Sequence, residues 1–345
     1  MTTQTINLKS HWSNLLFENP KLRIRDAADV LKVSEAELLA TGCSENVTRL
    51  QGNWSDLLQK FPHLGDVRCI TRNQAAVHSR FGTFVEPIAF FGQMGQVTGP
   101  EIDLRLFMSH WKYGFAMREA NNKEGRYSFQ FFDQYGTAVH KVFLTTRSSV
   151  SVYDELVQTF RSSDQSDFQS VVPLKQPEAE RPDPEIDVNQ FQKEWLATGD
   201  THEFSSLLRK FGVTREQGLR LAPDGCARKI PLSSIQKMLE DVVSQQLNIM
   251  VFVGSPGCVQ IHTGPIKNIV NSGTEWLSIL DERFIFHLYN PLVAAAWIVK
   301  KATRDGFITS LEVFDTGGKN VALFFGKRKP GQSEDAAWQG ILAKL

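Results

Sequence analysis

The sequence carries no net charge, because 38 lysines and arginines balance 38 aspartates and glutamates. Without a basic excess there is no long-range pull toward nucleic acid or an anionic membrane surface, so an anionic ligand must be held by local cations. Cysteine is scarce. The four residues Cys43, Cys69, Cys226 and Cys258 make no Cys-x-x-Cys pair, which argues against the common zinc frameworks. The first residues lack the basic and apolar stretches of a secretion signal, and no apolar run reaches the roughly 18 residues that a membrane helix needs. Free thiols without an export signal point to the cytosol and to no membrane insertion. No G-x-G-x-x-G loop follows a strand pattern, so the flavin and nicotinamide fingerprint is missing and any reductant would come from elsewhere.

Phenylalanine, by contrast, is plentiful: 24 Phe and 7 Trp suit large apolar contact surfaces or, equally, an aromatic core. The length of 345 residues predicts two domains. Between Ser162 and Ile186 the chain turns proline-rich and acidic, which reads as a linker (162–186) between an N-terminal unit (1–161) and a C-terminal one (187–345).

The two halves repeat each other at an offset of roughly 180 positions. A helix bearing Trp12 is matched by one bearing Trp195. A second helix closes on Val33-Ser34 in one half and on Val213-Thr214 in the other. Val77-His78 is echoed by Ile261-His262. GRYSFQFFDQYGTAV, from Gly125, mirrors GFITSLEVFDTGGKNV, from Gly306, with Asp133 and Gly136 aligned on Asp315 and Gly318. Alternation at Tyr127, Phe129 and Phe131, and at Phe307, Thr309, Leu311 and Val313, predicts half-buried strands joined by hairpins. Each half therefore reads as helices followed by a large, mostly antiparallel sheet. The fold class is α+β, used twice, and two similar units offer a ligand cleft.

One stretch carries the chemistry. In DTHEFSSLLRKF, from Asp200, the acid and Glu203 have capping-box spacing, and Phe204, Leu207, Leu208 and Phe211 form a helical apolar stripe. At about 100° per residue His202 lies nearly opposite that stripe, in the first turn, where the helix dipole disfavours imidazolium. A neutral imidazole is what iron requires of an axial ligand, although a solvent-facing or capping histidine satisfies the same pattern.

The segment WLATGDTHEF resembles the haem-ligand region of the HemS/ChuS/HmuS family of bacterial haem-trafficking and haem-degrading proteins. Further matches follow in the family's order: ITRNQAAVHSRFG with His78, EIDLRLFMSHW with Arg105, GCVQIHTGPIKN with His262, AWIVKKATRDGF with Lys300 and Lys301, and FFGKRKPG with Arg328. The resemblance runs from about residue 10 to the end. It implies haem b (iron protoporphyrin IX) in a cleft between sheet and helices, with His202 as proximal ligand and Arg105 on the distal face. A guanidinium cannot deprotonate and can hold a ligand on iron, but Arg105 also shares a strand face with Asp103, where a salt bridge serves as well. For the propionates the resemblance nominates Arg25, Arg215, Lys300 or Lys301, and Arg328. Phe325 stands where a tyrosine is expected, which removes a hydroxyl donor. His78 would be a second haem ligand or, like its repeat equivalent His262, a core histidine. His11, His63, His110, His140 and His287 have no context that singles them out.

The resemblance implies an enzyme that opens the porphyrin with external electrons, or else a carrier. Its partners would be haem, an ABC importer, a reductase or a downstream oxygenase. A different class is a helix-turn-helix regulator in RIRDAADVLKVSEAELLAT, Arg23 to Thr41. The neutral charge and the acidic Ser34–Glu37 stretch argue against nucleic-acid binding there.

Overall fold

The computed structural model describes residues 3–119, 126–174, 179–200, 203–273, 275–304, 306–328 and 332–345. His202 and Gly125 lie outside the described residues. The chain forms two compact units, Met1–Arg72 with Ser79–Lys175 and Ser255–Gln260, and Asn73–His78 with Gln176–Gly254 and Ile261–Leu345.

The first unit opens with α1 (Thr3–Glu18), α2 (Ile24–Leu31) and α3 (Glu35–Ala40). It continues through β1 (Val47–Leu50), α4 (Trp54–Leu58), β2 (Gly65–Arg72) and β3 (Ala76–Thr83). The strands β4 (Ala89–Phe91), β5 (Met94–Thr98), β6 (Asp103–Phe107), β7 (Tyr113–Glu119), β8 (Arg126–Phe132) and β9 (Ala138–Ser148) lead to α5 (Val150–Thr159). The strand run β1-β7-β8-β9-β2 is antiparallel throughout. The strand β3 changes unit between His78 and Ser79.

The second unit repeats this plan with α6 (Val188–Leu196), α7 (Glu203–Phe211), α8 (Arg215–Arg220), β10 (Ala227–Ile230), α9 (Ser233–Ser244), β11 (Asn248–Gly254) and β12 (Cys258–Pro265). After them come β13 (Ile269–Ser272), β14 (Trp276–Leu280), β15 (Phe284–Tyr289), β16 (Val293–Thr303), β17 (Gly306–Asp315), β18 (Asn320–Gly326) and α10 (Ala336–Leu342). Its run β10-β16-β17-β18-β11 is the counterpart of the first unit's sheet. The α+β expectation, used twice, is met.

The repeat extends to atoms. Ser34 and Thr214, the residues closing the repeated tags, are N-caps: their hydroxyls accept from Glu37 N and Gln217 N, each at 3.2 Å. The β8–β9 and β17–β18 hairpins turn identically. Asp133 Oδ1 accepts from Tyr135 N and Thr137 N, Asp315 Oδ1 accepts from Gly317 N and Lys319 N, all within 2.8–2.9 Å. Gly136 and Gly318 take φ of +74° and +70°, the left-handed region that a side chain would strain.

One expectation fails. The strands β8 and β17 are not half-buried, since both faces are covered from Ser128 and from Ile308 onward. In the second unit Leu311 and Val313 pack with α9 and α10, while Phe314 packs with α6, α7 and α8. In the first, Phe129 and Phe131 join Phe61 and Tyr153, while Phe132 joins Ala36 and Leu39 of α3. Alternation between apolar and small polar residues marks a solvent face only when nothing packs there. The stretch 162–186 holds the boundary between the two units. Its start is tied to the first unit, where Arg49 Nη2 donates to the carbonyls of Ser166 and Phe168 (3.0 and 2.7 Å) and Gln165 brackets the Arg49 backbone. Its end is tied to the second, where Gln217 Nε2 donates to Arg181 O at 2.6 Å.

The helix-turn-helix reading also falls. In α3, Glu35, Ala36, Leu38, Leu39 and Ala40 are buried. A six-residue helix sunk into the core presents no face to a DNA groove.

Candidate functional site

The second unit holds a buried ionic cluster at the foot of α7. Glu312, on β17, is fully buried. Its carboxylate accepts from Arg215 Nε and Nη2 at 2.7 and 2.9 Å, from Lys301 Nζ at 2.5 Å and from Ser310 Oγ at 3.0 Å. Burial pushes Glu312 up, but Arg215 and Lys301 outweigh it and hold the carboxyl at about 2. Burial likewise pushes Lys301 down to about 8, against the opposing pull of Glu312. Two cations share one carboxylate, leaving a buried positive excess. Both face Phe204 of α7, with Lys301 Nζ 4.7 Å and Arg215 Cζ 5.2 Å from the ring centroid. The centroid of the Phe325 ring also lies within 5.8 Å of Lys301 Nζ.

α7 sits here because its stripe is buried as expected: Phe204, Leu207 and Leu208 pack with Phe191, Trp195 and Phe314, and Phe211 is half-buried beside them. The Glu203 carboxylate accepts from Gly199 N at 2.8 Å. The helix ends at Gly212, whose φ of +63° suits glycine.

The other nominated residues fall in different surroundings. Lys300 is exposed and makes no ion pair among the described residues, while its carbonyl accepts from Trp195 Nε1 at 3.1 Å. Arg328, half-buried, follows β18. Arg105 lies between the buried Leu104 and Leu106 and pairs with Asp103, the plain salt bridge that its spacing allowed. Arg25 is half-buried in α2, near Arg72 and Glu35. His78 is fully buried with its ring 4.9 Å from Phe284, and His262, also buried, stacks on the same phenylalanine at 3.8 Å with planes 1° apart.

Sequence reasoning missed two clusters. In the first unit buried Glu35 pairs with both Lys141 and Arg72. Burial pushes that carboxyl up, and Lys141 and Arg72 bring it below the usual carboxylate range. The helix supplies the acid and the sheet supplies the cations, the reverse of Arg215 and Glu312. His140, dismissed as background, is buried. Its Nδ1 meets Thr71 Oγ1 at 2.8 Å, and burial lowers its pKa to about 3. No sequence signal flags these groups, because each is defined by neighbours distant along the chain.

A family model for the haemin-degrading HemS.ChuX domain matches residues 32–160 and again 212–345. The chain belongs to the HemS.ChuX family. It is 36% identical over 332 residues to the hemin transport protein HemS of Yersinia enterocolitica, covering 95% of this chain and 94% of that one. Among solved structures it is similar to holo-PhuS, a heme-binding protein from Pseudomonas aeruginosa, with TM-score 0.94 and 39% identity over 98% of this chain and 97% of the other. It is also similar to the Escherichia coli heme degrading enzyme ChuS, with TM-score 0.90 and 33% identity over 99% of both chains. Both domains of the family model fall one in each half, so the internal repeat is a duplication of the HemS.ChuX unit itself. Among the described residues no helix is long and apolar enough to cross a membrane, and no cluster of three or more His, Cys, Asp or Glu could hold a bare metal ion.

Proposed function

We infer that the protein binds haem for a bacterial haem-uptake system and either breaks it down or passes it on. The observation that carries this reading is the near-full-length similarity to HemS, PhuS and ChuS, which are named for hemin transport, heme binding and heme degradation. The residues present fit the group. A porphyrin with two propionates is apolar across its plane and anionic at one edge, and the foot of α7 combines aromatic rings with more cations than carboxylates.

In this reading the haem is haem b, held without covalent attachment, since no Cys-x-x-Cys-His stands in the sequence. His202 is its iron ligand. Lys300, exposed and without an ion pair among the described residues, is better suited than Lys301 to meet a propionate, because Lys301 is committed to Glu312. Arg215 uses Nε and Nη2 on Glu312, and neither bond engages Nη1. Arg328 and Arg25 are further candidates, and Arg105 is the candidate distal donor. Bound haem would supply the redox chemistry of iron, while the chain supplies ligand, local charge and access. The location proposed is the cytosol, in keeping with four buried free cysteines. An importer, a reductase and a downstream oxygenase are the exchange partners this role calls for.

Hemin titration followed by absorbance tests the binding. His202→Ala is expected to weaken binding or shift the Soret maximum, and Arg105→Ala to change the sixth-ligand spectrum. Wild-type spectra in both variants would end the assignment of these two residues. Degradation is separated from carriage by ascorbate turnover: loss of the Soret band that persists with catalase supports an enzyme, and loss abolished by catalase supports a carrier.

A further inference from the structure

Glu312 is an odd residue to find at the centre of a sheet. It is fully buried on β17 and flanked by Leu311 and Val313, which are also fully buried. An unpaired carboxylate there would be costly, so its three donors are a requirement of its being charged. The donors come from three places in the chain: Arg215 at the head of α8, Lys301 on β16 and Ser310 on β17 itself. None of the three would sit in this apolar layer unless the carboxylate drew it there.

The two cations then share a second contact. Both lie over one ring, Phe204, at 4.7 and 5.2 Å. That ring also meets Trp195 edge-on, with centroids 4.6 Å apart and planes at 82°. Phe204 is the first buried side chain of α7, two positions after His202. The start of the helix is thus pinned to the sheet through a ring held by paired cations and a tryptophan.

We propose that Glu312 is a positioning residue for haem binding, acting through Arg215, Lys301 and Phe204 to fix the start of α7, the helix that directly follows His202 in the sequence. The carboxylate does not need to touch haem. It keeps two like charges side by side under Phe204. Without it, Lys301 and Arg215 would repel each other in an apolar layer and at least one would leave, releasing the ring. That His202 is the ligand rests on the preceding reading, while the anchoring of α7 is a property of the apo chain.

The two can therefore be tested apart, on full-length protein. Glu312→Gln keeps the shape and removes the charge, and Phe204→Leu removes the ring while leaving the ion pairs intact. Should Glu312→Gln not fold, Phe204→Leu carries the test alone. In both, amide hydrogen exchange of apo protein should quicken more in α7 than in β16–β18. Hemin affinity should fall roughly tenfold, with a change in the ferric spin-state bands. His202→Ala should lose affinity with α7 exchange as in wild type. Wild-type exchange in α7 in the folded variants would overturn the anchoring. Faster exchange with unchanged affinity would overturn the positioning role, provided that His202→Ala binds weakly. If His202→Ala binds as wild type, it is the ligand assignment that has failed.

Discussion

A histidine that seemed unremarkable in the sequence makes the sharpest claim at the residue scale. His140 is buried, bonded to Thr71, and held neutral down to about pH 3. In the unfolded chain an ordinary imidazole takes up its proton near pH 6.5. Between those values the unfolded state binds a proton that the folded state refuses, so stability falls as pH drops from 6.5 toward 3. His140→Phe removes that slope, which is at most about 1.4 kcal/mol per pH unit. It also takes the imidazole from the Thr71 hydroxyl, which keeps Cys258 Sγ at 3.5 Å, but that cost does not vary with pH. Urea midpoints at pH 7 and pH 4.5 should therefore lie closer together in the variant than in wild type. Equal spacing would mean that the folded ring does protonate. The same scale shows why Glu312 was illegible. In a strand pattern an acid reads as a solvent-facing position, and only Arg215, 97 residues away, and Lys301, 11 away, make it an interior one. The choice between Lys300 and Lys301 was open for a similar reason, since adjacent strand residues face opposite ways and the sequence does not say which side is covered.

Elements were more legible where their chemistry is local. The Asp-x-x-Gly turns and the stripe of α7 each depend on residues within one or two turns, and the structure places them as the spacing predicted, whereas Ser34 and Thr214, read as the close of one helix, are the N-caps of the next. What the spacing omitted is how closely α8 approaches α7. Gly218 of α8 is buried, and a β-carbon there would lie 2.6 Å from Leu208 Cδ2 and 3.4 Å from Phe191 Cζ. Alanine at a helical glycine ordinarily gains about 1 kcal/mol of helix propensity. Here the methyl must displace a core leucine of α7, and overpacking of that kind costs about 1–3 kcal/mol. The second effect wins. Gly218→Ala should lower the urea midpoint, whereas a gain in stability would show that α7 yields freely and packs loosely on α8.

At the scale of the whole molecule, the duplication preserves a device while exchanging which layer supplies the acid. The first unit buries Glu35, supplied by α3, against Lys141 and Arg72 of the sheet, and the second buries Glu312, supplied by the sheet, against Arg215 of α8 and Lys301. Each unit thus joins its helical layer to its sheet through one carboxylate shared by two cations. Both carboxyls titrate below their ordinary value, Glu312 at about 2. A carboxyl depressed by folding contributes stability that is complete above its unfolded value near 4.5 and drains away as pH falls toward the folded one. Acid should therefore weaken both units below pH 4.5, in addition to the slope from His140 that begins higher. Removing one acid exposes two buried cations, and breaking such a group costs about 3–5 kcal/mol. Glu35→Gln should accordingly destabilise the first unit at pH 7, and that unit should lose less than wild type does between pH 4.5 and pH 3. Glu312→Gln should do the same to the second. Hydrogen exchange read unit by unit at pH 7, 4.5 and 3 distinguishes this from a shared collapse. If both variants weaken both units equally at pH 7, the two clusters do not act as independent locks. The repeat would then be a duplication of shape, with stability held in common.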